Sequence, residues 1–340
     1  EVYEAVDRQI TEWGIEHREP DPDTGRRWRA DTYLYCNEVV CPECKWRVPL
    51  APTWVIARDS RTCAHLVPDD ASRSFRIEIV QNATQSEFVD AGTSGTTIDS
   101  ELRCPNCREQ TSLRALRGDG RGDCGDNKSL LRRWEKADTY PRRDDIFQER
   151  LYCIRWEDTY EVEAASGGVK SVTDRYFLSP TDSDMKREER VRELLDGSVA
   201  TWQSKGSLPA RPIAEGAETS RLVRERGWSY WAHLFTPRQL LNLGLFMEIA
   251  RSRDATDRVA CMLAAGRIAN WNSRLCQWVP SMGNGGVGAT FSNQALNTLF
   301  NYPSRSWSSM EGVLVPVRIA ECRASTVEAV DARAIQRECD

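Results

Sequence analysis

The sequence predicts an α+β fold, with strands in its first half and helices in its second. Segments 33–35, 54–57 and 75–79 have the apolar composition of strands, and 75–79 alternates strictly. Helical spacing takes over after a connector at 197–216 that contains Pro and Gly. With 340 residues, the chain can form one large domain or two smaller ones.

We divide the chain into five segments on these patterns. They are 1–32, an amphipathic helix and linker; 33–145, a cysteine-bearing strand domain with an insertion; 146–215, strands, a charged helix (184–195) and the connector; 216–310, a helical region; and 311–340, ending in a strand (312–319). In the helical region Thr236 is the N-cap of a helix to about Arg251, which forms a hairpin with a second helix at 255–275. A third helix is predicted at 291–300.

Composition narrows the possible partners. No apolar run approaches the roughly 18 residues of a membrane span, so we expect no membrane association. No secretory leader is recognisable, which favours a cytoplasmic protein. The formal net charge of −5 gives no overall basic character, so any contact with nucleic acid has to be local.

Two Cys-Pro-x-Cys pairs predict a metal site. Cys41 and Cys44 form the first pair, and Cys104 and Cys107 the second. Four thiolates from two short turns are the ligand set of a zinc ribbon, whose zinc is structural because no coordination position stays open. The long separation of the pairs predicts a β-ribbon insertion in the zinc ribbon. The alternative is two unrelated buried pairs.

A second metal site has weaker support. Cys36, Cys63, His65 and Cys124 offer ligand types, but scattered loop residues of this kind are more often plain thiols and a surface histidine.

No catalytic residue can be assigned from the sequence. His17, His65 and His233 stand in no recognisable catalytic motif. The glycine run at 283–288 does not follow a strand and open a helix, so a flexible loop is a better interpretation than a dinucleotide site.

Residues 108–143 hold ten basic and six acidic side chains next to the second cysteine pair. Arg132, Arg133, Arg142 and Arg143 are the candidates for contact with a DNA backbone. A charge-mixed, solvated surface explains the same residues without a partner.

Four strings together resemble one family. CPECKWRVPL (41–50), LFTPRQLL (234–241), NWNSRLCQW (270–278) and FSNQALNTLFNY (291–302) resemble the zinc-ribbon-containing, adenine-specific DNA methylases of prokaryotic anti-phage defence islands. The resemblance runs from about residue 33 to residue 302. It implies transfer of a methyl group from S-adenosylmethionine to adenine N6 in DNA, within a restriction-modification or related defence system of a prokaryotic cytoplasm.

The resemblance also implies that this chain is an internal fragment. The family's Phe-x-Gly-x-Gly cofactor turn and Asp-Pro-Pro-Tyr loop, which belong to an α/β, Rossmann-like core, are absent from residues 1–340. We therefore expect the zinc ribbon and the helical hairpin to pack on a core that this chain does not fully contain, and the chain alone to be inactive.

The last two strings contain six polar residues that are candidates for the wall of a cofactor or flipped-base pocket. Helix packing and capping explain them equally well. They are Asn270, Asn272, Ser273, Asn293, Gln294 and Asn297.

The predicted function is thus a zinc-binding, DNA-contacting part of an adenine DNA methyltransferase. The alternative is a non-catalytic zinc-ribbon adaptor that binds DNA or another defence-system protein, and a third possibility is an inert scaffold.

Overall fold

The computed structural model describes residues 1–18, 25–121, 127–163, 167–292 and 295–314. Its strands are β1 (Arg29–Val40), β2 (Arg47–Leu50), β3 (Val55–Ala57), β4 (Thr62–Asp69), β5 (Ser74–Val80), β6 (Thr97–Ile98), β7 (Glu101–Arg103), β8 (Gln110–Ser112), β9 (Gly120–Arg121), β10 (Asn127–Lys128), β11 (Gln148–Glu163), β12 (Val169–Leu178), β13 (Gln277–Val279), β14 (Gly286–Gly288) and β15 (Asn301–Arg305). Its α-helices are α1 (Val2–Trp13), α2 (Gln85–Thr93), α3 (Leu113–Arg117), α4 (Asp182–Asp196), α5 (Val199–Lys205), α6 (Thr219–Arg226), α7 (Pro237–Ala250), α8 (Ala255–Trp271) and α9 (Glu311–Leu314). The predicted α+β class is confirmed. Within the described ranges, no helix has the length and apolar character that crossing a bilayer requires.

An antiparallel sheet in the order β12-β11-β1-β15 forms the centre of the structure, and β2 also pairs with β1. Tyr33 and Tyr35 of β1 pack with Tyr302 in one apolar cluster, whereas Leu34 and Cys36 pack in another. Successive side chains of a strand point to opposite faces. The sheet is therefore covered on both faces at β1, and strands from segments 33–145, 146–215 and 216–310 share it.

The chain between the two cysteine pairs forms a second antiparallel sheet of β3, β4 and β5. In β5, buried Phe75 and Ile77 alternate with exposed Arg76 and Glu78, as the sequence predicts. Helix α2 follows β5. The insertion carries its own apolar face and covers the central sheet through the cluster that includes Leu34.

A layer of helices is centred on α7, which packs against α1, α4, α5 and α8. The predicted start is confirmed: Thr236 and Gln239 form a reciprocal capping box, and Pro237 is the first helical residue. A Cβ at Gly244 would lie 2.2 Å from the ring of Trp202. Glycine at this position therefore allows α5 to approach α7 closely.

Other local predictions are wrong. Residues 291–292 and 295–300 are turns and irregular chain rather than helix, and Asn301 begins β15. Residues 312–314 belong to α9 rather than to a strand, and 315–319 lie outside the described residues. The connector at 197–216 contains α5, and the end of the glycine run pairs as β14 with β13. Strand β15 pairs with β1, which is distant in sequence, so local spacing does not predict it.

Buried ion pairs join the helical layer to the sheet. Arg238 of α7 is fully buried and donates to Glu188 of α4, which also accepts a hydrogen bond from the Tyr35 hydroxyl at 2.6 Å. Arg274 is fully buried and donates to Glu149 of β11 at 2.6 Å. A charge at such a position is costly without a partner. These pairs therefore fix how the two layers meet.

Candidate metal centre

The first cysteine pair lies in a tight turn at the end of β1. The Lys45 N–H donates to the Cys41 carbonyl at 3.0 Å, and the Cys41 N–H donates to the Trp46 carbonyl at 2.8 Å. Lys45 has a φ of 63°, the left-handed conformation that reverses the chain into β2. This turn presents both thiols on its inner side.

The second pair repeats this geometry after β7. The Arg108 N–H donates to the Cys104 carbonyl at 2.9 Å, and the Cys104 N–H donates to the Glu109 carbonyl at 3.1 Å. Arg108 has a φ of 67°. The two turns are therefore built alike, although 59 residues separate their sequences (Lys45 to Arg103).

The two turns bring four thiols together. The sulfurs of Cys41 and Cys107 are 3.8 Å apart and those of Cys44 and Cys104 are 3.6 Å apart, and all four ligand atoms lie within 4.8 Å of one another. A metal–sulfur distance of about 2.3 Å in a tetrahedron places the sulfurs about 3.8 Å apart. The separations exceed the roughly 2.05 Å of a disulfide bond. The cluster fits one tetrahedral metal ion.

Hydrogen bonds and burial have opposite effects on the pKa values of the thiols. Burial raises the pKa of Cys41, and the N–H groups of Cys44 and Glu43 partly offset it. Burial would also raise the pKa of Cys44, but hydrogen bonds from the Asn106 side chain and the Trp46 N–H outweigh it and lower that pKa to about 6. The site thus favours one thiolate at neutral pH, and a bound cation would stabilise the others.

The cluster is surrounded by a small apolar core that joins it to the central sheet. The rings of Trp46 and Phe75 lie 5.2 Å apart, between the first turn and the insertion. Leu102 of β7 and Phe147, next to β11, complete this core. Since four thiols fill four coordination positions, no place is left for a substrate or a reactive water. An ion bound there would hold together the turns that follow β1 and β7.

Among the residues that the structure describes, these four cysteines form the one group of three or more potential ligands close enough for a metal ion. Cys63 lies 3.6 Å from the His65 Nε2 atom, but no third ligand from the described ranges joins them. Cys36 is buried within β1, and Cys124 lies outside the described residues. The weaker prediction of a second metal site thus gains no support from the described part of the chain.

The four arginines predicted to contact DNA fall into two groups. Arg132 forms ion pairs with Asp138 at 2.5 Å and Asp145 at 2.8 Å, and Arg142 pairs with Asp138 at 2.9 Å. These two arginines hold the 132–145 loop together. Arg133 and Arg143 are exposed, in the manner required of a phosphate ligand.

The polar residues predicted to line a pocket are satisfied within the fold where the structure describes them. Asn293 and Gln294 lie outside the described residues. The other four are hydrogen-bonded: Asn270 accepts from the Phe291 N–H, Asn272 from the Arg305 N–H, and Asn297 from the Arg221 guanidinium, while Ser273 shares a hydrogen bond with Thr290. Their observed contacts are those of packing and capping.

His233 is a buried structural residue. Its Nδ1 atom accepts from the N–H groups of Ser229 and Tyr230, each at 3.1 Å, and its Nε2 atom donates to the Glu135 carbonyl at 2.9 Å. Burial lowers the pKa of His233 to about 4, assisted by the nearby Arg274 guanidinium. Both ring nitrogens are occupied, so this histidine is not available as a general base.

Sequence reasoning missed the buried arginines. Arg238 and Arg274 lie within two of the strings that carry the family resemblance, and Arg274 directly follows Ser273, which was predicted to line a pocket. In the sequence, each appears as a single arginine within an otherwise apolar or amide-rich stretch. An arginine at the surface gives the same pattern, because its long flexible side chain can keep the charged end in water.

Comparison of the chain with protein-family models, with curated proteins and with solved structures finds no match.

Proposed function

We propose that the metal ion is zinc and that it is structural. The observation that carries this proposal is the tetrahedral spacing of the four cysteine sulfurs, two of which are 3.6 Å apart. Four thiolates in a protein hold zinc or an iron–sulfur centre, and two short cysteine turns around one tetrahedral position are the arrangement of a structural zinc site. The ion would connect the end of β1 to the turn after β7.

Metal analysis of the purified full chain tests this proposal. We expect about one zinc per chain in the unaltered protein and a large loss of zinc in the Cys44→Ser and Cys107→Ser variants, which each remove a half-buried thiol. Cys63→Ser is the matched control, because Cys63 is a buried cysteine outside the cluster. Iron in place of zinc, or equal loss of metal in the control, would contradict the proposal.

We further propose that the chain is the zinc-bearing, DNA-contacting part of an adenine-specific DNA methyltransferase. The four strings that resemble such enzymes support this, as does the position of the basic 108–143 stretch directly after the second cysteine turn. S-adenosylmethionine would supply the methyl group when bound by the enzyme. We assign none of this chain's residues to that cofactor, because the described polar candidates are engaged with other parts of the fold.

The residues of this chain would position the DNA. The buried pairs of Arg238 and Arg274 hold the helices on the sheet, and a metal ion at the cysteine cluster would hold the turn that leads into the basic residues. This arrangement supports a rigid platform beside a catalytic core.

An adaptor without catalysis is the second candidate function. It is favoured by the internal hydrogen bonds of Asn272 and Ser273, which leave these side chains little capacity to bind a base or cofactor.

Transfer of a tritiated methyl group from S-adenosylmethionine to duplex DNA distinguishes the two functions. We expect no transfer by this chain alone, and transfer to adenine by a protein that joins the chain to a core with the two missing motifs. DNA binding by the chain without transfer by the joined protein would instead support the adaptor.

A further inference from the structure

A large cleft separates the loops that follow the second cysteine turn from the helical part of the chain. Its volume is about 1470 Å³, and one wall is formed by residues of α3 and the chain after it, including Arg114, Arg117 and Arg133. The opposite wall is formed by residues of α6 and its neighbours, including Arg224 and Arg226. Small-molecule sites usually enclose about 300–1,000 Å³, so this cleft is large enough for a segment of an extended ligand.

The lining of the cleft is basic, in contrast to the acidic chain as a whole. Five arginines face three carboxylates, those of Asp119, Glu215 and Glu225. Asp119 is paired with Arg117 at 2.7 Å, and Glu225 is engaged by the Thr298 hydroxyl. In the described part of the chain, Arg114 and Arg133 are exposed and form no ion pair.

Arg226 differs from the other buried arginines of the protein. It is only 6% exposed, yet it forms no ion pair with a carboxylate among the described residues, and its Nε atom has no hydrogen-bond partner there. Its guanidinium donates to the carbonyls of Glu225 and Leu299 and lies 4.2 Å from the centre of the Phe300 ring.

Arg238 and Arg274, which are fully buried, each pair with a glutamate. A buried guanidinium without a counter-ion is costly. Burial accordingly lowers the pKa of Arg226 to about 10. An anion in the cleft would supply the missing counter-charge.

We infer that this cleft binds the phosphate backbone of one strand of duplex DNA, with Arg114, Arg133 and Arg226 as phosphate ligands. The inference rests on the proposed DNA-contacting function and locates that contact. Arg133 belonged to the predicted set, whereas Arg132 and Arg142 support the loop that carries it.

Fluorescence anisotropy with a labelled 20-base-pair duplex and the zinc-loaded full chain tests the inference. The Arg114→Ala/Arg133→Ala variant removes two exposed cleft arginines, and Arg8→Ala/Arg58→Ala removes two exposed arginines outside the cleft with the same change in net charge. We expect binding roughly ten-fold weaker in the cleft variant and unchanged in the control. The slope of log K against log salt should fall in magnitude by about 1.8.

Arg226→Gln should also weaken binding, and near-UV circular dichroism checks that this variant folds. If it does not fold, the Arg114→Ala/Arg133→Ala variant alone tests the inference. A labelled mononucleotide is the second probe, because it carries the phosphate group of DNA without the polynucleotide strand.

The outcomes separate the possible errors. If the wild-type chain binds the duplex and the cleft and control substitutions weaken that binding equally, or neither weakens it, the cleft assignment is overturned. The DNA-contacting function would then still stand. Tighter binding of the mononucleotide than of the duplex would overturn the assignment to a DNA strand. Absence of duplex binding by the wild-type chain would overturn the cleft inference together with the DNA-contacting function.

Discussion

Replacing Arg274 by Met tests whether the buried ion pairs organise the fold. The Arg274 guanidinium is fully buried and donates to both carboxylate oxygens of Glu149, at 2.6 and 2.9 Å. It also donates to the carbonyls of His233 at 2.8 Å and Thr139 at 3.0 Å. The substitution leaves the largely buried glutamate side chain with only the Tyr302 hydroxyl as a side-chain partner among the described residues.

Removing one member of a buried pair costs about 3–5 kcal/mol of unfolding free energy. We expect a loss in this range, measured by urea denaturation followed by tryptophan fluorescence. The matched control is Arg190→Met on α4, whose ion pair with Glu193 is exposed and should contribute no more than about 1 kcal/mol.

The Glu149→Gln change in the Arg274→Met background should recover part of the loss, because it removes the unpaired charge. A loss below about 1 kcal/mol for Arg274→Met, or no recovery in the double variant, would refute this account of how the layers are joined.

Three further predictions follow from single sites. Gly244→Ala should destabilise the protein by about 1–3 kcal/mol, because its Cβ would meet the Trp202 ring, whereas Gly266→Ala on α8 has open space and should stabilise it by about 0.4–1 kcal/mol; equal effects in denaturant unfolding would contradict the packing. Because the pKa of His233 is lowered from 6.5 to about 4, the stability it provides is fully present above pH 6.5 and is lost as the pH falls towards 4; an NMR titration of its imidazole with a pKa near 6.5 would disprove this. Chelation of the metal at the four cysteines should lower the melting temperature, and added zinc should restore it; an unchanged melting temperature would show that the site is not structural.

Features specified by a short stretch of sequence could be predicted. Thr236 and Pro237 mark the start of α7 because a cap and a first helical residue depend only on their near neighbours. The alternation at 75–79 predicted β5 for the same reason. The cysteine cluster belongs here too, because each turn is local and the ligand chemistry pairs the two turns.

Features that depend on residues distant in the sequence could not be predicted. The apolar spacing at 291–300 suggested a helix, but the chain that follows pairs with β1, where Tyr302 lies opposite Tyr35. Nothing near residue 302 in the sequence indicates that pairing. A second limit is local: the run at 132–143 predicts a basic surface, but its composition does not show that Arg132 pairs with Asp138 and Asp145 of the same loop.

X-ray absorption at the zinc edge of the purified chain measures directly whether the four cysteines bind zinc. We expect one zinc bound by four sulfur atoms at about 2.3 Å, contributed by Cys41, Cys44, Cys104 and Cys107. A coordination shell with nitrogen or oxygen ligands, or a protein that binds no zinc with these thiols reduced, would contradict it.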